Sequence, residues 1–163
     1  MTDTKFSILF VCLGNICRSP MAKSIACKIS KDMFKQTIFK FDSAGTGAHF
    51  ANETMHHMAL ETLISHGIND NEHTARQIST IDYSDFDYIV CLDSSVYEDV
   101  QAMKPIKCSS EIIHISKFGL NKGIKKIKDP YLGTRKDFEQ CYEDCYTCIK
   151  QMLISVKQMK NLI

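Results

Sequence analysis

Cys12-Leu13-Gly14-Asn15-Ile16-Cys17-Arg18-Ser19-Pro20 decides how the rest of the chain is read. Ahead of it, Phe6-Ser7-Ile8-Leu9-Phe10-Val11 has the length and apolar character of a buried strand. Behind it, Ser19 reads as a helix N-cap and Pro20 as the first helical residue. Strand, tight loop and helix start in that order bring backbone N–H groups and the positive end of a helix dipole to one place. Such a place is an anion site. A cysteine opens this loop and an arginine closes it, so the stretch reads as a phosphate-binding loop, residues 13–19, that carries its own nucleophile.

Each residue type suits that reading. Cys12 stands where the loop N–H groups and Arg18 favour a thiolate, the nucleophilic form of cysteine. Gly14 and Asn15 are the residue types that best tolerate left-handed backbone angles, as a loop curling its N–H groups inward requires. Arg18 carries a planar fork that holds two phosphate oxygens at once, which lysine lacks. The chain has 17 Lys and 3 Arg, so an arginine here runs against its composition. The Ser19 hydroxyl is placed to cap the helix and to donate to the sulfur. At this content of Cys, Arg, Ser and Thr, about 0.02 chance matches to Cys-x5-Arg-Ser/Thr are expected. The stretch lacks Gly-x4-Gly-Lys-Ser/Thr, so ATP is not its natural ligand.

Length and composition bound the rest. Residues 1–163 are enough for one domain with a sizeable core. Hydrophobic content of 44% and charged content of 24% are ordinary for a soluble globular protein. A formal net charge of +1 exerts no general pull on nucleic acid or membrane, so neither is expected as a partner. No apolar run reaches bilayer-spanning length. Lys5 and the apolar residues after it imitate a signal peptide, but no small-residue cleavage site follows. A cytoplasmic monomer is therefore expected, with the eight cysteines as reduced thiols rather than a disulfide scaffold.

Along the chain, Ala22, Ile25, Ala26, Ile29 and Met33 keep helical spacing to about Phe34. Ile38 to Phe41 reads as a second strand, residues 45–50 as a flexible loop, and residues 54–66 as a helix ended by Gly67. Asp87 to Leu92 is a third strand, after which Asp93 or Ser94 caps a helix to about Met103. Glu111 to Ile115 is a fourth strand, residues 116–128 form a Gly/Lys-rich loop, and a helix runs from Asp137 to the end. Strands alternating with helices predict an α/β fold, a parallel sheet covered on both faces. Ligands of such sheets bind beyond the carboxyl ends of the strands, where the loop after the first strand lies.

The loop Val11 to Pro20 closely resembles the active-site loop of the low-molecular-weight protein tyrosine phosphatases. Asp42-Ser43-Ala44-Gly45-Thr46, His73-Thr74-Ala75-Arg76-Gln77 and Asp129-Pro130-Tyr131 match that family in the same order. The resemblance implies a three-layer domain with a four-stranded parallel sheet of order 2-1-3-4. It implies hydrolysis of phosphotyrosine in proteins, or of small aryl phosphates, through a cysteinyl-phosphate on Cys12. Arg18 and the loop N–H groups would bind the phosphate without a metal or cofactor. A thiolate attacks phosphorus, but expelling an aryl oxygen needs a proton donor. Proline biases Asp129 to an extended backbone, and the resemblance makes Asp129 the general acid and then the base. It also implies that Tyr131 lines an aromatic slot, that Asn15, Ser19, Ser43 and His73 hold the loop in shape, and that Cys17 is a redox partner of Cys12.

The chain departs from the family at the pocket wall. Leu132 stands where a second aromatic residue is common, and His49 and Phe50 where Trp or Tyr is common. Lys122, Lys125, Lys126 and Lys128 read first as a solvated loop, with steering of acidic phosphopeptides as the functional alternative. Cys141, Cys145 and Cys148 imitate a cluster-binding triplet but read better as buried thiols on one helix face. Three other functions share the loop. A thiol-dependent arsenate reductase needs a cysteine pair seven residues apart after the third strand; Cys91 is present, but position 98 is Glu98. A protein-arginine phosphatase typically has Thr where this chain has Ile16. A non-catalytic phosphopeptide-binding module has no need of Cys12, Arg18 and Asp129 together.

Overall fold

The computed structural model describes residues 5–34 and 38–159. Strand β1, Phe6–Cys12, is the axis of the molecule because Ile8, Leu9, Phe10 and Val11 are all fully buried. Burial on both faces fits an uninterrupted apolar run in a central parallel strand. The alternation of a strand splits these residues between two cores. Ile8 and Phe10 pack into the larger one, with Met21, Ala22 and Ile25 of α1 (Arg18–Met33), Leu63 of α2 (His57–Ser65), and Phe138 and Ile149 of α5 (Arg135–Met159). Leu9 and Val11 pack into the smaller one, with Tyr83 of the short α3 (Asp82–Asp85) and Val96 and Val100 of α4 (Ser94–Ala102). Three layers result.

The sheet is parallel throughout, in the order β2 (Phe39–Gly45), β1, β3 (Tyr88–Cys91), β4 (Glu111–His114). The chain crosses to one side of β1 to make β2 and to the other to make β3. The crevice at this reversal lies at the carboxyl ends of β1 and β3. Residues 12–18 and 92–94 are the two loops that meet there.

Several boundaries differ from the sequence reading, each for a physical reason. Helix α1 begins at Arg18 with Cys17 at its N-cap, so Ser19 is inside the first turn and caps nothing. Its hydroxyl is taken up by Cys12 and Asn15 instead. Pro20 is the third helical residue, where its missing N–H still leaves no helical bond unmade. Strand β2 continues past Phe41 to Gly45 because Asp42, Ser43, Ala44 and Gly45 pair in register with Leu9, Phe10, Val11 and Cys12. The 116–128 loop contains two 3-10 turns, Ile115–Phe118 and Leu120–Lys122. Asp93 caps α4 as expected, its Oδ1 accepting from the Val96 N–H at 2.8 Å. Gly67 follows α2 with φ +79°, the left-handed stop that glycine makes easily. The last turn expected of α5, residues 160–163, lies outside the described residues.

Candidate active site

Cys12 ends β1 with 3% of its surface exposed. Its Sγ accepts the Asn15 backbone N–H at 3.3 Å and lies 2.9 Å from Ser19 Oγ. Asn15 is the keystone of the loop. Its φ of 58° is left-handed, which asparagine tolerates better than most residues. Gly14 is not in that region; it is needed for space, because a Cβ there would come within 2.8 Å of the Phe50 ring.

Every polar atom of the buried Asn15 side chain is satisfied. Nδ2 donates to Ser19 Oγ at 2.8 Å and to Ser43 Oγ at 3.0 Å, and Oδ1 accepts the Arg76 N–H at 2.9 Å. Its carbonyl accepts from His73 Nε2 at 2.6 Å. Burial pulls the His73 pKa below the ordinary imidazole value, and the bond to Asn15 only partly offsets it. His73 is thus a neutral donor. Orphaning a buried group of this kind costs about 1–3 kcal/mol, so the network fixes the loop before any ligand arrives. Arg76 anchors it from outside through both Asp82 oxygens, at 2.9 and 3.0 Å, and Asp42 at 3.2 Å. Gly45 permits the close approach of β2, since a Cβ there would lie 2.6 Å from the Leu13 carbonyl.

Arg18, 3% exposed, turns inward beneath the loop. Nη1 donates to Asp93 Oδ2 at 2.5 Å and to the Ile127 carbonyl at 3.1 Å, and Nη2 lies 3.6 Å from Asp129 Oδ2. Burial would lower its pKa, but Cys12, Asp93 and Asp129 outweigh that and raise it. Asp93 behaves conversely. Burial would raise its pKa, and the Val96 N–H, Arg18 and His114 together hold it below the usual carboxylate value. One carboxylate therefore both caps α4 and aims the arginine. Sequence reading found only the cap; the available signal was its position at the carboxyl end of the strand beside β1.

Loop residues 12–18 with Phe50, Asp129 and Tyr131 enclose a cleft of about 180 Å³. Asp129 is half-exposed, its Oδ1 accepting the Tyr131 N–H at 3.1 Å. The Phe50 and Tyr131 rings stand 5.5 Å apart at 52° and form an aromatic wall. His56, not singled out in the sequence, supports that wall. Its ring lies edge-on to Tyr131 at 5.8 Å and stacks on Phe138 at 5.0 Å, and its N–H donates to the Ile16 carbonyl. The expected pocket residues thus divide: Phe50 and Tyr131 line the cleft, whereas His49 and Leu132 are exposed and do not. Cys17 is buried, which pushes its thiol well above the ordinary value, with Asp129 and Cys12 adding to the effect. Cys91 is buried in the second core, its thiol pushed up to about 12 by burial and Asp93.

Among the described residues, one group of metal-ligand type converges, His66, Glu139 and Glu143, with donor atoms within 4.8 Å of one another. None of the three lines the cleft, and His66 and Glu139 already pair at 2.5 Å. A larger cavity of about 490 Å³ lies beside β4, lined by residues such as Tyr88, Phe118 and Val156. Neither a cysteine nor an arginine is among its lining residues. The smaller cleft is the one lined by Cys12, Arg18 and Asp129.

A parallel α/β sheet presenting a cysteine, five loop residues and an arginine around one anion-sized cleft defines a Cys-x5-Arg phosphate-loop protein. The sequence model of the low molecular weight phosphotyrosine protein phosphatase family matches residues 7–162, and the chain belongs to that family. The low molecular weight phosphotyrosine protein phosphatase of Gallus gallus is 38% identical over 149 residues, 90% of this chain and 93% of that one. A protein tyrosine phosphatase of Entamoeba histolytica, solved with Hepes in its active site, superposes with a TM-score of 0.89. It shares 26% identity over 96% of this chain and 99% of its own. The drosophila arginine phosphatase superposes with a TM-score of 0.86, at 27% identity over 92% of this chain and 97% of that one.

Proposed function

We propose that this protein is a protein tyrosine phosphatase acting through a cysteinyl-phosphate. The observation that carries the reading is Cys12 Sγ held between Ser19 Oγ and the Asn15 N–H in a cleft that also contains Arg18 and Asp129. The Cys12 thiolate attacks phosphorus, forming an S–P bond while the P–O bond to the tyrosine oxygen breaks. Asp129 gives its proton to that oxygen. Water then attacks phosphorus, Asp129 takes the water's proton, and the S–P bond breaks to release phosphate and the thiolate. Arg18 and the loop N–H groups hold the equatorial oxygens as charge develops. Ser19 donates to the departing sulfur, and Asn15, Ser43 and His73 keep the loop shaped for this. Phe50 and Tyr131 form the wall against which the aryl ring packs. The scheme gives no role to a metal or cofactor.

The substrates are phosphotyrosine-containing proteins, and small aryl phosphates serve as probes. Purified protein in the presence of a chelator is expected to hydrolyse a phosphotyrosyl peptide and p-nitrophenyl phosphate. It should leave phosphoarginine intact and show no thiol-coupled reduction of arsenate. Arsenate reduction without phosphate release would overturn the reading, and preferential release from phosphoarginine would move it to the arginine phosphatases. No described helix is long and apolar enough to cross a membrane. A cytoplasmic monomer is the setting proposed for this chemistry.

Regulation by oxidation belongs to the same proposal. Peroxide converts the Cys12 thiolate to a sulfenic acid; the Cys17 thiolate then attacks that sulfur, expelling hydroxide and forming a Cys12–Cys17 disulfide. Burial holds Cys17 protonated, so ring closure should accelerate as pH rises and more of its thiolate forms. Peroxide-treated protein is expected to regain activity with dithiothreitol, while Cys17→Ser stays inactive because Cys12 oxidises further. Equal recovery of the two proteins would exclude the disulfide.

A further inference from the structure

The segment that brings Asp129 and Tyr131 to the cleft is far more basic than the molecule as a whole. Residues 122–136 hold six cations and one carboxylate, a balance of +5, in a chain whose net charge is +1, so the remainder is net −4. Lys122, Lys125, Lys126 and Lys128 are all exposed. Among the described residues, none of these four forms an ion pair with a carboxylate within 4 Å. Two neighbouring charged groups do have partners. Arg135 pairs with Glu61 at 2.6 Å, and Asp137 accepts from the Thr134 N–H at 2.7 Å with Lys128 and Lys136 nearby.

The backbone between Lys126 and Lys128 is anchored to the elements around the phosphate loop. Ile127 is fully buried, its N–H donating to the Leu92 carbonyl at 2.8 Å and its carbonyl accepting from Arg18 at 3.1 Å. Lys126 and Lys128 flank this pinned residue, and Asp129 follows directly in the cleft. Lys125, Lys126 and Lys128 thus stand within four residues of the proton donor with no carboxylate within 4 Å of their amines among the described residues. We propose that this segment selects phosphotyrosyl peptides whose flanking residues are acidic, with Lys125, Lys126 and Lys128 as the specificity-determining residues. This rests on the phosphotyrosine reading above. The lysines touch the peptide beside the phosphotyrosine and take no part in bond making.

The test compares two phosphotyrosyl peptides that differ only in Asp and Glu against Asn and Gln around the tyrosine, with p-nitrophenyl phosphate as a third substrate. For the unaltered protein, kcat/KM for the acidic peptide should exceed that for the neutral one by about 10-fold at low ionic strength. The ratio should fall toward 1 near 0.5 M salt, where the screening length is only a few ångströms (~4 Å). In Lys125→Gln/Lys126→Gln/Lys128→Gln the ratio should be close to 1 at all salt concentrations, with p-nitrophenyl phosphate still hydrolysed. Equal rates on the two peptides in the unaltered protein, or a ratio that survives the triple substitution, overturn the assignment while leaving the phosphatase reading in place. Failure to hydrolyse any of the three substrates overturns both.

Discussion

Cys12→Ser should lower the rate of aryl phosphate hydrolysis by roughly 10⁶, the order of loss when a covalent catalyst is deprived of its nucleophile. That is about 8 kcal/mol of transition-state stabilisation. A serine hydroxyl at this position is not ionised, and no base stands beside it to activate it: Cys12 Sγ has Ser19 Oγ at 2.9 Å and the Asn15 N–H at 3.3 Å, and both suit an acceptor that is already anionic. The fold should be unaffected. Oxygen is smaller than sulfur, the partners suit either atom, and the strand is held by register pairing on both sides, Cys12 with Gly45 and Val11 with Cys91. Inorganic phosphate should still raise the thermal midpoint of the variant, because Arg18 and the loop amides remain. Steady-state turnover within 100-fold of the unaltered protein, or a variant that no longer binds phosphate, would remove Cys12 from the role of nucleophile.

The order of elements and the identity of the loop were legible because both depend on local pattern. Phe6 to Val11 has the length and apolar character of a buried strand, and a cysteine and arginine six positions apart before a helix carry their own chemistry. What escaped depends on pairing across the chain. Asp42-Ser43-Ala44-Gly45 has poor strand propensity, yet it is strand because β1 supplies its ladder partners. Ser19 has the composition of an N-cap, but the buried sulfur and the Asn15 amide compete for its hydroxyl and win. Asp93 reads locally as a cap; its second oxygen holds Arg18, 75 residues away in sequence, only because β3 lies beside β1. His56 falls within a stretch of helical periodicity, and only the packing of α2 on α5 brings it between Tyr131 and Phe138. Leu132 and His49 show the opposite error, since proximity in sequence to Tyr131 and Phe50 did not bring them into the cleft.

Asp129→Ala should slow hydrolysis of phosphotyrosine by ~10²–10⁴, the usual worth of a positioned acid or base. The loss should be smaller for p-nitrophenyl phosphate, whose leaving group departs more readily without a proton. The side chain is 46% exposed, so its removal costs the fold little. It does make one structural bond, Oδ1 accepting the Tyr131 N–H at 3.1 Å, so a displaced Tyr131 wall is a competing explanation for any loss. Asp129→Asn separates the two. Its amide oxygen still accepts the Tyr131 N–H, but it has no acidic proton to give. Both variants should therefore be slow on phosphotyrosine, and in both the rate should depend more steeply on the leaving group than in the unaltered protein. Inhibition by inorganic phosphate should change by no more than a few fold, since Arg18 keeps its bonds to Asp93 and Ile127. Recovery of the original rate in Asp129→Asn would make Asp129 a positioning residue for Tyr131. An equal loss on good and poor leaving groups would mean that the proton comes from elsewhere.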